Sequence, residues 1–199
     1  EGQANLQYGA TQAFVYALTF VGGLLADKIL GFRRSLFWGG ILMIIGSIVL
    51  AIDPKTFFFV GIGFNIIGTG FFKPNISSMV GNLYKEGDNR IDAGFSLFYA
   101  GVNLGALFGG YLCIAIAKRE LLADFIPAHL AWNVAFGISS FFMMVSLLTF
   151  IRTQKSLSTI GFSPLAHLES GRRRIYEIAT FALSLVLIPV VIIMVAKTE

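Results

Sequence analysis

The chain has 199 residues, of which 56% are hydrophobic and only 13% are charged. This composition, with 22 glycines and 20 phenylalanines, is typical of transmembrane helices and disfavours a soluble domain, which carries about twice as much charge. The single cysteine, Cys113, excludes an internal disulfide framework. We interpret the net charge of +4 as a signal of membrane orientation and not of nucleic-acid binding.

Six apolar segments follow one another along the chain, and several approach the ~20 residues that cross a bilayer. They predict transmembrane helices at 6–26, 35–52, 56–82, 93–117, 130–151 and 175–196. A polar stretch at 152–174, which contains Pro164 and the run Arg172-Arg173-Arg174, separates the fifth segment from the sixth. The sequence therefore predicts an all-α transmembrane fold with a linker before its last helix.

Lysine and arginine are distributed unevenly between the two sides of the predicted bundle. If the first helix runs toward the cytoplasm, one side carries ten of them and the other four, with Lys73 inside the membrane. The side with ten is predicted to be cytoplasmic. The first helix then enters from outside, so we expect another helix to precede it in the whole protein and the chain to be a fragment.

Lys73 is the only charged residue between Lys55 and Lys85. It therefore falls at membrane depth, where a charge is costly and usually has a function. Polar residues recur every three or four positions around it and on two other helices, so that each of the three helices has one polar stripe. The stripes are Gln12, Tyr16 and Thr19 on the first helix, Asn65, Thr69, Lys73 and Ser77 on the third, and Ser96, Tyr99 and Asn103 on the fourth. They predict a shared polar interior, although single residues such as Thr19 or Ser96 are also explained as polar contacts between helices.

The third and fourth predicted helices carry further signals of function and packing. No aspartate or glutamate lies within the first five helices, and a buried ammonium group without a counterion tends to lose its proton. We therefore expect the partner of Lys73 to be a substrate carboxylate or a residue outside this chain. Pro74 weakens the helix beside it, which fits either a site or an ordinary kink.

On the fourth helix, Gly101, Gly105 and Gly109 predict a face for tight packing.

The connection between the first two predicted helices has its own charge pattern. It reads Gly23-Leu-Leu-Ala-Asp27-Lys-Ile-Leu-Gly31-Phe-Arg33-Arg34. The acid before the turn and the arginines after it predict charge-assisted pairs across a tight loop. The spacing resembles that of the loop between helices two and three in the major facilitator superfamily.

Further stretches resemble one family of that superfamily, the proton-dependent oligopeptide transporters. They are Gly22 to Gly31, Phe72-Lys73-Pro74-Asn75, Asp88 to Phe95 and Phe95 to Leu107. Together with the loop they cover residues 15 to about 110 in matching order and spacing. The resemblance implies the amino-terminal bundle of a major facilitator, with helices two to six at 1–152 and the first helix missing. A cytoplasmic linker at 153–174 and an additional transmembrane helix at 175–199 would follow.

Site residues are implied by the same resemblance, position by position. Tyr16 and Asn103 match substrate-binding residues, and Lys73 matches a lysine implicated in both peptide binding and proton coupling. The gating loop corresponds to Asp27, Arg33 and Arg34. The rest of the stripes would line the pocket, namely Gln12, Thr19, Asn65, Thr69, Ser77, Ser96 and Tyr99. The chain departs from the family pattern at Ser35-Leu36, where a small or β-branched pair is usual. It also lacks the helix-one E-x-x-E-R motif and the family's second half.

The function implied by the resemblance is proton-coupled symport of di- and tripeptides by alternating access in the bacterial inner membrane. The expected partners are peptides, protons, the bilayer, and the missing first helix and carboxyl-terminal half. We expect no nucleic acid, no metal, no catalytic residues and no cofactor besides the coupling proton. The chain by itself should not transport. Two alternatives remain open: the same fold carrying nitrate or a drug-like anion, and a non-transporting membrane scaffold or receptor. A transmembrane enzyme is disfavoured because the predicted helices contain no histidine and no metal-ligand cluster.

Overall fold

The computed structural model describes residues 2–197, with side-chain exposure from residue 5 onward. Within that range the chain folds into helices, as predicted. The long ones are α1 (Gly2–Leu25), α2 (Phe32–Ile52), α3 (Phe58–Gly81), α4 (Ile91–Ala117), α5 (Ala131–Thr153) and α6 (Ser170–Ala196). Short helical turns lie at Ala26–Leu30, Ala128–Leu130, Gln154–Leu157 and Pro164–His167. Helix α6 begins before the predicted 175, because the arginine run that we assigned to the linker continues the helix, as suits the high helix propensity of arginine.

Five helical segments of the described range are long and apolar enough to cross a membrane by length and composition. They are Asn5–Leu30, Phe32–Ile52, Ile91–Ala117, Ala128–Leu157 and Ser170–Ala196. The prediction of six spans is confirmed for these five. Helix α3 does not meet the same criterion, although its 24 residues extend about 36 Å, because Asn65, Lys73 and Asn75 lower its hydropathy. It is the central helix, packed against α1, α2, α4 and α6.

Glycine pairs bring α2 and α3 into close antiparallel contact at two levels. A Cβ on Gly39 would lie 2.7 Å from the carbonyl oxygen of Gly68, and a Cβ on Gly46 would lie 2.7 Å from that of Gly61. These separations are too short for any larger side chain, so glycine is what lets the two backbones approach. These four residues were not among those predicted to pack closely.

The main hydrophobic core lies where α3 meets α1, α2 and α6. Its buried members are Leu30, Leu42, Ile66, Ile67, Phe71, Ile188, Val191 and Val195. Helix α6 comes closest to α3 at Gly63, where a Cβ would lie 2.6 Å from Cγ1 of Ile192. The last helix is therefore packed into the bundle and contributes three residues to its core.

Helix α4 packs against α5 near its carboxyl-terminal end and is exposed along most of its length. The contact contains a second buried cluster, formed by Ile116, Ala117 and Ala135. The predicted packing face is open, since within the described range no atom of another helix lies within 4 Å of a Cβ placed on Gly101, Gly105 or Gly109. The expectation of tight packing at these glycines is therefore wrong for this part of the chain, because neither α3 nor α5 reaches them.

Two aspartates brace the connections on either side of α3. The carboxylate of Asp53 accepts hydrogen bonds from the backbone N–H groups of Lys55 and Thr56, and hydrogen bonding to Thr56 is the main reason that its pKa is lowered. Asp88 accepts hydrogen bonds from the guanidinium and the N–H of Arg90, which lower the pKa of Asp88 from 3.8 to about 2. The Asp88–Arg90 pair contributes to the stability of the fold at pH values above 3.8, the ordinary pKa of the Asp88 carboxyl group. This contribution is lost as the pH falls through the lowered pKa of about 2.

Candidate functional site

Lys73 and Tyr16 are neighbours across the contact between α1 and α3. The Nζ atom of Lys73 lies 5.2 Å from the centroid of the Tyr16 ring, which is within range of a cation–π interaction. Both side chains are exposed in the part of the chain that the structure describes. Two of the three predicted substrate-binding residues are thus brought together, and the ring contacts the ammonium group without neutralising its charge.

Lys73 has no acidic partner among the described residues. The ion pairs found there join Glu177 to Arg34 and Arg173, and Asp88 to Arg90. This agrees with the absence of acids from the first five predicted helices. The charge of Lys73 is therefore available to a carboxylate that approaches the exposed surface of α1 and α3.

The backbone beside Lys73 is held by α1. Pro74 lies inside α3 and has no N–H to donate to the carbonyl oxygen of Gly70. Gly22 of α1 packs directly onto that carbonyl, where a Cβ would overlap the oxygen. The helix continues through Pro74 to Gly81, so this weakened turn is supported by a neighbouring helix.

The other predicted lining residues of α1 and α3 do not all face Lys73. Thr19 donates a hydrogen bond from its hydroxyl to the carbonyl of Val15, at 2.7 Å, within its own helix. Asn65 lines a separate cavity of about 310 Å³ between α2, α3 and α5. Steps of four residues turn by about 40° on an α-helix, so Asn65 is rotated by about 80° from Lys73. The prediction of one continuous stripe on α3 is therefore wrong for Asn65. Half-buried positions are held by Gln12, Thr69 and Ser77.

The predicted site residues of α4 lie apart from this pair. Ser96, Tyr99 and Asn103 are exposed, and the ring of Tyr99 contacts those of Phe95 and Phe98 on its own helix, at centroid distances of 6.3 and 5.2 Å. No hydrogen bond or ring contact within the described range joins Asn103 to Lys73 or Tyr16. Their grouping into one pocket stays a prediction.

The predicted pairing of Asp27 with the arginines beyond the turn is wrong. Asp27 is exposed and forms no ion pair with another described residue. Arg33 instead donates from Nε to the carbonyl of Ile160, at 2.7 Å, and from Nη2 to the carbonyl of Ser158, at 2.6 Å. The π-helical turn at Ala26–Leu30 leaves Asp27 facing solvent, while the linker lies against Arg33.

Close packing holds the linker on this loop. Gly31 has a φ of +76°, and a Cβ there would lie 2.5 Å from the carbonyl carbon of Phe162, so the position requires glycine. The guanidinium of Arg33 lies over the ring of Phe162, 4.4 Å from its centroid. Ser163 donates a hydrogen bond from its hydroxyl to the carbonyl of Ile29. The loop and the linker therefore form one unit at this end of the bundle.

Arg34, the other arginine of the loop, is paired with α6. Its Nη1 atom contacts Oε1 of Glu177, and Nε of Arg173 lies 3.1 Å from the same oxygen. Glu177 is 8% exposed, and two arginines satisfy the need of a buried carboxylate for a partner. The two predicted gating arginines thus contact the linker and α6, whereas Asp27 faces solvent. The gating role of all three residues stays a prediction.

The surface around Lys73 suits recognition of an anion by charge and by aromatic contact. Within residues 2–197, no group of three or more histidine, cysteine, aspartate and glutamate side chains is placed to hold a metal ion.

Comparison with known proteins decides the family. The family model described as PTR2, the POT family, matches residues 33–167, more than half of the chain. The chain belongs to the POT family.

Curated relatives of the POT-family chain include longer proteins. The peptide transporter YePEPT of Yersinia enterocolitica subsp. palearctica is 39% identical over 151 residues, which are 74% of this chain and 28% of the relative. A di-/tripeptide transporter of Lactobacillus helveticus is 35% identical over 161 residues, which are 80% of this chain and 32% of the relative. The chain therefore spans about a third of the length of these relatives.

Solved structures of POT-family proteins have the same fold. A peptide transporter in complex with alafosfalin has a TM-score of 0.74 at 33% identity, covering 96% of this chain and 38% of that one. A bacterial homologue of the human drug peptide transporters has a TM-score of 0.83 at 26% identity, covering 98% and 43%. A POT family transporter in complex with 5-aminolevulinic acid has a TM-score of 0.73 at 30% identity, covering 100% and 40%. The chain is thus part of an integral, multi-pass membrane protein of a transporter family, not an enzyme family.

Two residues near the predicted sites of this POT-family chain were missed by the sequence analysis. Asn75 is 1% exposed and donates from Nδ2 to the carbonyl oxygens of Phe71, at 2.6 Å, and Gly22, at 3.5 Å. It links α1 to α3 two residues after Lys73. Glu177 is the buried partner of Arg34. A signal was available for both, because an amide or a carboxylate inside an apolar helix needs a partner.

Proposed function

We propose that this chain is part of a secondary active transporter that carries di- and tripeptides together with protons by alternating access. The names of the relatives from Yersinia enterocolitica and Lactobacillus helveticus support peptides as the cargo. Their bacterial origin supports a place in the bacterial inner membrane. Because the chain spans only about a third of these relatives, the activity belongs to the whole protein.

The observation that carries the proposal is the ammonium group of Lys73 against the ring of Tyr16, with no acidic partner among the described residues. A cation in a membrane helix is costly and is usually paired with an anionic group. The terminal carboxylate of a short peptide supplies one. A nonpolar solute would gain nothing from the charge of Lys73.

Each residue has a role in this proposal. Lys73 attracts the carboxylate of the peptide, Tyr16 bounds the pocket with its ring and hydroxyl, and Asn103 hydrogen-bonds a peptide carbonyl or amine. When no peptide is bound, Lys73 pairs with a carboxylate elsewhere in the whole protein. Protonation of that carboxylate frees Lys73 for the peptide, which couples the two movements.

Replacement of the lysine tests the role directly. In the full-length protein reconstituted in liposomes, Lys73→Ala is expected to abolish accumulation of a labelled dipeptide driven by a pH gradient, because the binding and coupling charge is gone. The measurement is uptake against time with and without the gradient. Lys118→Ala is the matched control, since Lys118 is an exposed residue that caps the end of α4.

Lys118→Ala should accumulate dipeptide as the unmodified protein does. Accumulation at the unmodified level by Lys73→Ala would contradict the role of Lys73. Absence of any substrate-dependent flux in the unmodified protein would favour a scaffold or receptor on a transporter fold.

A broader cargo is the second candidate, favoured by one specific observation. A similar POT family structure holds 5-aminolevulinic acid, a small molecule with one amine and one carboxylate. The same Lys73 would attract that carboxylate. Competition of labelled dipeptide uptake by 5-aminolevulinic acid, nitrate and a tripeptide separates the alternatives, since a strict peptide transporter is inhibited by the tripeptide alone.

A further inference from the structure

A groove with three arginines opens beside the loop between α1 and α2. Its deeper part is a cavity of about 340 Å³ lined by Arg33, Arg34 and Arg173 together with Gln154 and Ser163. An adjoining cavity of about 360 Å³ shares Arg33, Arg34 and Gln154 with the first and is bounded by Phe37 and Ile151. The shared residues join the two cavities into one groove, cationic at one end and apolar at the other, which we call the arginine groove.

The cationic end carries more positive charge than its neighbours neutralise. Among the described residues, Glu177 is the one acid in ion-pair contact with Arg34 and Arg173, and the hydrogen bonds of the Arg33 side chain go to uncharged carbonyl groups. Three cations and one anion leave a net charge of +2. Their side chains remain accessible, since those of Arg34 and Arg173 are 42% and 32% exposed.

The arginines also retain hydrogen-bond donors. Glu177 engages Nη1 of Arg34 and Nε of Arg173, and the linker carbonyls engage Nε and Nη2 of Arg33. Within the described range, the remaining terminal nitrogens of Arg34 and Arg173 donate to no protein group. Guanidinium groups with free N–H donors bind phosphate oxygens in a forked, charge-assisted geometry.

The apolar end of the groove is exposed on the surface of two candidate membrane spans. Phe37 and Ile151 are 41% and 36% exposed, and they belong to two segments that are apolar enough to cross a bilayer. The groove lies where α2 begins, α5 ends and α6 begins, which places it at the boundary between headgroups and acyl chains. Basic pockets between membrane helices at this depth are suited to anionic lipid headgroups.

We propose that the arginine groove binds an anionic phospholipid. Arg34 and Arg173 hold the phosphate, and the acyl chains lie along Phe37 and Ile151. The net charge of +2 favours a lipid with a net negative charge over a zwitterionic one. Inorganic phosphate shares the headgroup chemistry but gains nothing from the apolar end. The bound lipid joins α2, α5 and α6 through a site separate from Lys73.

Lipid retention by the purified full-length protein tests the proposal without reference to transport. Native mass spectrometry in detergent would follow titration with phosphatidylglycerol, with phosphatidylcholine, and with phosphatidylglycerol in the presence of inorganic phosphate. We expect phosphatidylglycerol to be retained in preference to phosphatidylcholine and to resist displacement by phosphate. Arg34→Gln and Arg173→Gln should each weaken its apparent affinity by about tenfold, as expected for loss of a charge-assisted hydrogen bond.

The matched control is Arg174→Gln, which removes the same charge from an exposed neighbour that does not line the groove. It should change the affinity by less than about twofold, whereas diffuse attraction to a basic surface would be affected equally by all three variants. Each groove variant leaves Glu177 with one arginine partner, and an unchanged elution profile shows that the variant is folded. Equal loss in the control, equal retention of phosphatidylcholine, or displacement by inorganic phosphate would each overturn the proposal. If either Arg34→Gln or Arg173→Gln does not fold, the affinity of the other variant for phosphatidylglycerol tests the proposal.

Discussion

At the scale of single residues, the position of Lys73 depends on small neighbours. Its helix loses a backbone hydrogen bond at Pro74, which leaves the carbonyl oxygen of Gly70 without its usual donor. Gly22 of α1 packs onto that oxygen. Asn75 adds a buried amide that bonds the backbones of both helices. The ammonium group thus projects from a turn whose backbone is fixed from the side of α1.

Replacement of Gly22 by alanine should disrupt this contact. The added methyl would overlap the carbonyl oxygen of Gly70, which is backbone and has little freedom to move. We expect the free energy of unfolding to fall by about 1–3 kcal/mol, as is usual for overpacking. The measurement is the melting temperature of the purified full-length protein in detergent.

Gly23→Ala provides the matched control on the adjacent residue. Its methyl would lie 3.6 Å from Cβ of Pro74, which is an ordinary contact distance. It should leave the melting temperature nearly unchanged. Equal destabilisation by both variants would show that helix α1 tolerates no change here for reasons other than the carbonyl of Gly70.

At the scale of elements, the linker after α5 is fixed to the loop before α2. Arg33 contributes two side-chain hydrogen bonds and a contact with the Phe162 ring, and its backbone N–H donates to the carbonyl of Gly161 at 3.0 Å. The polar stretch that the sequence predicts to be a linker is therefore held at several points.

Arg33→Lys should release the linker while keeping the charge. A lysine ammonium is a point charge that does not reproduce the planar fork, so it cannot serve both carbonyls and the ring together. We expect peptides covering 154–169 to exchange amide hydrogens roughly tenfold faster, as expected for loss of charge-assisted hydrogen bonds. Hydrogen exchange with mass spectrometry on the full-length protein measures this.

Arg152→Lys is the control for that experiment, because Arg152 is exposed at the end of α5 and forms no ion pair with another described residue. It should leave exchange in the linker unchanged. Unchanged exchange in Arg33→Lys would instead mean that the glycine contacts at Gly31 hold the linker without help from the guanidinium.

At the scale of the whole molecule, α3 is the centre on which α1, α2, α4 and α6 pack. Helix α2 approaches it through glycine pairs, α1 through Gly22, and α6 through Gly63. The helix that carries Lys73 is also the one that falls short of the hydropathy of a membrane span. Its neighbours cover its buried faces and leave Lys73 exposed on one side.

The docking of α6 onto α3 is testable by a disulfide. A Cβ on Gly63 would lie 2.6 Å from Cγ1 of Ile192, so cysteines at these positions are close enough to bridge. We expect Gly63→Cys with Ile192→Cys, in a Cys113→Ser background, to cross-link on oxidation of the full-length protein. Protease cleavage in the linker followed by non-reducing electrophoresis detects the bond.

Moving one cysteine by a single position gives the control. Ile193 is 53% exposed and is turned by about 100° from Ile192 on the helix, so Gly63→Cys with Ile193→Cys should not cross-link. Equal cross-linking of both pairs, or of neither, would contradict the packing of α6 against α3.

The positions of the helices were predictable because apolar runs and polar breaks are local properties. The predicted segment at 35–52 and the helix Phe32–Ile52 differ only at the amino-terminal end. The presence of a cation in the middle of the third helix was likewise predictable from one charge in an apolar run, and its role stays a prediction. The partners of Arg33 and Arg34 were not, because Ile160 and Glu177 lie more than a hundred residues away in the chain.

The packing faces of the helices show the same difference between what a local pattern predicts and what depends on distant parts of the chain. Gly101, Gly105 and Gly109 have the spacing of a packing face, yet the described chain leaves them open, while Gly39 and Gly68 meet at a contact that their spacing did not indicate. Spacing fixes which residues share a face of one helix, since the helical repeat is constant. It does not fix which neighbour covers that face.

Composition and local pattern were therefore enough to predict a membrane bundle, its helices, its family resemblance and a cation within the third helix. The three-dimensional packing settled that Tyr16 lies beside Lys73, that Asn65 faces a different cavity, and that Asp27 does not pair with Arg33. The physical reason is that membrane insertion depends on the summed hydropathy of consecutive residues. Contacts between distant residues depend on how whole helices cross.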